Sequence, residues 1–252
     1  MFACNKPRPG SSLYNPTFIV DSFKHFWTYW YYNVNLCSKY IVFDTNDKKI
    51  PKKEFLKKLS TGNYLPLKLK SENPTTDQFK LVGIKTPVDR ESRDIYRYLA
   101  FFGRLNLKYF NLESKPVPKF SFQALNGKIY TNENCKGKFI VLDCWFVGCS
   151  ACVKDMPEIN KLVEKYNDND IVFIGLARSS EESVKKFLDR VKLKYTVVPN
   201  VRSFLEDSLK VIMYPTYVVV NKKGNIVGFP SYVMNLKSVL NQFVEAGKLS
   251  VN

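Results

Sequence analysis

Two continuous apolar runs of strand length, residues 139–145 (Phe-Ile-Val-Leu-Asp-Cys-Trp) and 171–177, dominate the second half of the chain. Runs without polar alternation predict strands buried on both faces. Amphipathic segments separate them: 149–166, then 181–191 after a Ser179-Ser180 cap, then a short helix over 203–210. Asn126-Gly127 predicts a hairpin between 120–122 and 128–130, and Lys222-Lys223-Gly224 another between 216–221 and 225–228. A helix over 236–246 closes the chain. Strands alternating with helices and ending in an antiparallel hairpin predict an α/β domain, a mixed sheet with helices on both faces.

The first half reads differently. Residues 22–33 crowd seven aromatic rings together, 40–43 is strand-like, and 51–59 is a short helix opened by proline. Strands are expected at 64–69 and 79–84. Ile95, Tyr98, Leu99, Phe102 and Leu105 recur at helical spacing through 91–107. The aromatic cluster is expected to form a packed core or a docking face rather than a peptide site. Two prolines within 113–119 mark a linker. The expected organisation is a flexible N-terminal segment (1–20), a smaller α+β domain of unassigned role (21–112) and a second domain (113–252).

Composition sharpens this picture in a few places. The chain has 252 residues, 45% hydrophobic, enough for two cores. Its net charge of +16 comes from 20 basic against 10 acidic residues over 1–115 and 19 against 13 over 116–252. The lysine-rich run 48–58 has apolar residues at helical intervals and is expected to be a solvated helix face. No zinc-finger or RNA-recognition signature accompanies it, so nucleic acid is not an expected partner. No stretch of eighteen apolar residues predicts a spanning helix. Phe2-Ala3-Cys4-Asn5 resembles the tail of a bacterial lipoprotein signal, leaving two readings of Cys4: a lipid-anchored residue on a membrane surface, or an exposed thiol near the chain end.

The chemistry concentrates in Cys149-Ser150-Ala151-Cys152 at the start of a predicted helix. Thiols at this spacing can close a small disulfide, and the helix dipole favours the thiolate at the first of them. Cys149, with a partly exposed sulfur, is the expected nucleophile, and the more deeply placed Cys152 the resolving thiol. A four-thiolate zinc site with Cys135 and Cys144 is not expected, because eight residues separate that pair and Cys144 lies in a strand. His25, the single histidine, is far away. No cofactor is expected beyond the redox-active disulfide. Asp143, an acid inside an apolar strand, needs a hydrogen bond or a raised pKa, which suits a general base.

Trp145 through Pro157, Tyr214-Pro215-Thr216 and Lys223-Gly224-Asn225 together resemble the thioredoxin fold, and within it the TlpA/ResA-like thiol-disulfide oxidoreductases of two-domain, Bacteroidetes type, over about residues 116–246. The helix and strand within 181–198 resemble that group's central insertion. The resemblance implies an enzyme of the cell envelope, on its periplasmic side, that reduces oxidised protein thiols with electrons from a membrane donor protein. It implies Asp143 as proton acceptor for Cys152 and Asp155 at the position of a glutamate that tunes the thiols, here one methylene shorter. It also implies substrate contacts from Trp145, Tyr214, Thr216 and a cis Pro215. Ser150-Ala151 between the cysteines, and Gly148 before them, depart from the group's pattern. Two alternatives stay open: a peroxiredoxin-like peroxidase, opposed by Phe146 where a threonine would stand, and a binding or scaffold module with incidental thiols.

Overall fold

The protein is described here from a computed structural model covering residues 9–73, 75–166 and 171–245. Its contacts divide it into two compact units, Met1–Asn111 and Leu112–Asn252. Cys4 lies outside the described residues.

In the first unit, helix α1 (Pro16–Ile19) is capped by Asn15, whose side chain accepts from the Thr17 N–H. The segment up to residue 20, expected to be flexible, is tied down from residue 10 onward: Gly10 N–H donates to Gln78 Oε1 at 3.1 Å, and Ser12 bridges to Leu69. Its backbone extends a sheet edge, which amino-acid type alone does not reveal. Helix α2 (Phe23–Asn33) starts at the Ser22 cap and buries Phe26, Tyr29 and Trp30. Strand β1 (Tyr40–Phe43) precedes α3 (Lys52–Leu59), whose Phe55, Leu56 and Leu59 are buried while Lys53 and Lys57 are exposed. Strands β2 (Tyr64–Leu69) and β3 (Asp77–Gly83) follow, then α4 (Arg90–Phe110), held at its start by a reciprocal Asp89/Ser92 capping box. The sheet order is β1-β3-β2, with β1 parallel and β2 antiparallel to β3. The aromatic run of α2 packs onto α4, where Trp30 stacks on Phe102 at 4.7 Å between ring centres. Tyr98 is the edge of that stack, 39% exposed.

The second unit opens with the hairpin β4 (Ser121–Gln123) and β5 (Ile129–Thr131). It continues through β6 (Phe139–Trp145), α5 (Ser150–Lys165), β7 (Ile171–Ala177), α6 (Glu181–Leu188) and β8 (Thr196–Val198). A single π-helical turn, Phe204–Ser208, replaces the expected short helix. Strands β9 (Thr216–Val220) and β10 (Ile226–Gly228) and helix α7 (Val233–Leu240) follow, and a second π-helical turn, Asn241–Glu245, continues α7. The five-stranded sheet has the order β10-β9-β6-β7-β8: β6, β7 and β8 run parallel, and β9 and β10 antiparallel. All seven residues of central β6 are buried. Its C-terminal end delivers the chain to the two cysteines.

Candidate active site

Cys149 and Cys152 are joined by a disulfide at the start of α5. Cys149 is the N-cap: its backbone is extended, and its sulfur accepts the Cys152 N–H at 3.1 Å. A helix N-terminus offers unpaired N–H groups and a positive dipole end, both of which stabilise a thiolate there once the disulfide opens. Gly148 has φ +97°, a left-handed conformation that side-chain-bearing residues adopt only with strain. The departure from the group's pattern at this position is thus met by a backbone turn that favours glycine. Two bonds anchor the loop to the sheet end: Arg178 N–H to the Trp145 carbonyl and Val147 N–H to Ser179 Oγ, both at 2.9 Å.

Exposure differs from expectation at the nucleophile. Cys149 retains 6% of its surface and Cys152 2%, so the order of burial is as expected but the outer sulfur is more enclosed. Phe146, Val147 and Tyr214 pack on the cluster that contains both cysteines. Local apolar residues around a disulfide cover it in a way that spacing alone does not show.

Of the four expected substrate contacts, three have buried side chains: Trp145, Pro215 and Thr216. Trp145 has no exposed surface; its ring lies 5.3 Å from that of Phe187 on α6, and it is core beneath the disulfide. Thr216 is also fully buried, with its hydroxyl donating to the Met213 carbonyl at 2.7 Å to close the preceding turn. The Tyr214-Pro215 peptide is cis and Pro215 is buried. Tyr214 is half-exposed and meets Phe146 edge-on at 5.3 Å. Phe146 is therefore a rim residue beside the cysteine cluster that the sequence reading did not select. Its only signal was its place inside the motif.

On β6, the strand that leads to the cysteines, and on its neighbours lies a small polar network in apolar surroundings. Asp143, 2% exposed, accepts from the Tyr195 hydroxyl through Oδ2 at 2.7 Å, while its Oδ1 is buried without a hydrogen-bond partner. Burial pushes this carboxyl up to about 7, with the Tyr195 bond opposing and the Asp155 charge adding to the rise. Asp155, half-buried on α5, accepts from the Tyr217 hydroxyl at 2.9 Å and from Val233 N–H at 3.2 Å. Burial raises its pKa, and the two hydrogen bonds hold it down. The shorter side chain thus reaches partners in β9 and α7. Tyr217 stands opposite Asp143 in the β6–β9 register. Burial and the nearby carboxylates push both tyrosines far above the ordinary phenol range. Neither tyrosine was selected from sequence; the only signal was that a buried acid needs a donor somewhere. Cys135 and Cys144 carry buried free thiols.

Residues 112–236 match the Redoxin family. The thioredoxin-like protein YneN of Bacillus subtilis is 30% identical over 117 residues, 45% of this chain and 68% of that protein. The thiol-disulfide oxidoreductase ResA of Bacillus cereus is 30% identical over 125 residues, 47% of this chain and 72% of that protein. Among solved structures, the thioredoxin domain of a thiol-disulfide oxidoreductase from Bacteroides vulgatus aligns at 25% identity and a TM-score of 0.47, over 52% of this chain and 97% of that one. The disulfide pair at the end of a mixed five-stranded sheet and the identities with YneN and ResA place the chain in the TlpA/ResA-like family: it is a thioredoxin-fold thiol-disulfide oxidoreductase.

Proposed function

We propose that the protein reduces disulfides of cell-envelope proteins by a dithiol cycle in which Cys149 attacks, Cys152 resolves and Asp143 accepts a proton. The observation that carries this reading is the Cys149–Cys152 disulfide at the N-cap of α5, the helix that follows the strand holding a buried acid with one unpaired oxygen. In the dithiol form, the Cys149 thiolate attacks one sulfur of a substrate disulfide, forming a mixed disulfide and releasing the other substrate sulfur as thiolate. Asp143 takes the proton from the buried Cys152 thiol. Cys152 then attacks Cys149, the mixed bond breaks, and the second substrate sulfur leaves as thiolate. Two electrons pass to the substrate, and the enzyme is left as the disulfide seen here. An acid titrating at about 7 is ionised often enough at neutral pH to accept that proton.

Asp155 tunes the same thiols through its charge on Asp143. Tyr214 and the Pro215 backbone receive the substrate strand. A donor protein in the membrane returns the disulfide to the dithiol, and lipidation at Cys4 holds the enzyme at that surface. Among the described residues no helix is long and apolar enough to cross a membrane. Mass spectrometry of the native N-terminus tests this last element, and an unmodified Met1 sinks it.

The catalytic reading is tested with single cysteine variants. Cys149→Ala is expected to lower reduction of a peptide disulfide by at least about a thousandfold, the scale of removing a nucleophile. Cys152→Ala is expected to accumulate a mixed disulfide through Cys149, visible by non-reducing mass spectrometry. Equal residual activity in the two variants contradicts the cycle.

A further inference from the structure

Asp143 sits in the middle of the sheet, and its neighbours in register explain how a tyrosine from a distant segment reaches it. On β7 its partner is Gly175. A side chain at that position would begin 3.1 Å from the Tyr195 ring and 3.2 Å from Trp145 Nε1, closer than ordinary contact. The bare backbone leaves a slot, and Tyr195, just before β8, fills it with its ring while its hydroxyl meets Oδ2 of Asp143. The same ring lines a cavity of about 450 Å³ with Leu188, Lys192 and Thr196. One side chain therefore extends from that cavity to the buried carboxylate.

We infer that Tyr195 is a positioning residue for the redox reaction: its hydroxyl fixes Oδ2 of Asp143 so that the unpaired Oδ1 is the oxygen that takes the Cys152 proton. This rests on Asp143 being the proton acceptor. A carboxylate held at one oxygen has a single orientation and a single free acceptor, whereas an unheld one must be ordered in each turnover. The hydroxyl also donates to the charged form, so it keeps the acid ionised at lower pH than burial alone allows. The titratable groups that act on Asp143 are Asp155 from α5, Tyr217 from β9, Tyr195 before β8, and Cys144 beside it on β6; its register partner on β7 is Gly175.

The test is the pH dependence of single-turnover reduction of a peptide disulfide by the reduced full chain, together with carbon NMR titration of the Asp143 carboxyl, assigned by its loss in Asp143→Asn. Tyr195→Phe keeps the ring in its slot and removes only the hydroxyl. It is expected to move the carboxyl midpoint and the rate profile upward together by about one pH unit, the scale of one hydrogen bond to a charged group. At about pH 7 the rate is then about fivefold lower, and at high pH it approaches that of the parent. Gly175→Ala, which crowds the ring, is expected to shift both in the same direction. Unchanged midpoints in both variants, with Asp143→Asn still abolishing the pH dependence, overturn the role of Tyr195 and leave Asp143 as acceptor. A pH profile that survives Asp143→Asn overturns the Asp143 reading and this inference with it.

Discussion

The two central strands, β3 and β6, solve the same problem in opposite ways. β3 alternates: Phe79 and Leu81 are buried, and Gln78, Lys80 and Val82 between them are only partly so. Its acid, Asp77, pairs with Lys68 at 2.9 Å where both side chains keep about a quarter of their surface. β6 has no open face, and its acid is enclosed beside neutral phenols. A strand with one wet side places charge in water and gains little from pairing it. A strand covered on both sides turns the same residue type into a destabilising group whose proton affinity rises, which is the property a buried base needs.

That contrast can be broken by substitution, most strongly on the apolar side of β3. Phe79 is fully buried, so Phe79→Ala is expected to destabilise the first unit by roughly 3–5 kcal/mol, equally at all pH values, by the usual loss of burial plus cavity. Denaturant unfolding checks it, with disulfide exchange at Cys149 and Cys152 expected to stay as in the parent.

Next in size is the acid of β6. Its folded pKa is raised from 3.8 to about 7, so the folded state holds a proton that the unfolded state has released across that interval. Stability therefore falls as pH rises from about 4 to about 7 and is level above, by roughly 4 kcal/mol for a shift of this size. Asp143→Asn removes this slope. Relative to the parent, the variant is expected to gain about that amount between acid and mildly alkaline pH, measured by urea unfolding of the oxidised protein. A parallel pair of stability curves would show that Asp143 ionises freely.

The smallest effect belongs to the wet side of β3. Lys68→Met is expected to cost under about 1 kcal/mol, and less in high salt, because the pair with Asp77 is partly solvated. A larger loss would mean that this face is drier than its exposure implies.

Much of the redox unit was legible because its signals are local. Continuous apolar runs gave β6 and β7, Asn126-Gly127 gave the β4–β5 hairpin, and the Cys149/Cys152 spacing gave the disulfide. Boundaries moved where no capping residue marks them: α6 stops at Leu188, short of residue 191, and α7 begins at Val233, ahead of residue 236. The full burial of the Trp145 and Thr216 side chains was not legible, because motif membership does not say which side of the sheet end a side chain faces. The pairing of residues 10–12 was not legible because a polar stretch can still add its backbone to a sheet edge, as Ser12 does at Leu69.

Sequence by itself singled out the candidate residues: two thiols three positions apart at a helix start, and an acid in an apolar strand. Only the tertiary structure decided what that acid touches. Tyr195 lies 52 positions from Asp143, and Tyr217 lies 62 positions from Asp155. A hydrogen bond across such distances is fixed by strand order and by the space Gly175 leaves open, and neither is written in the spacing of the residues it joins.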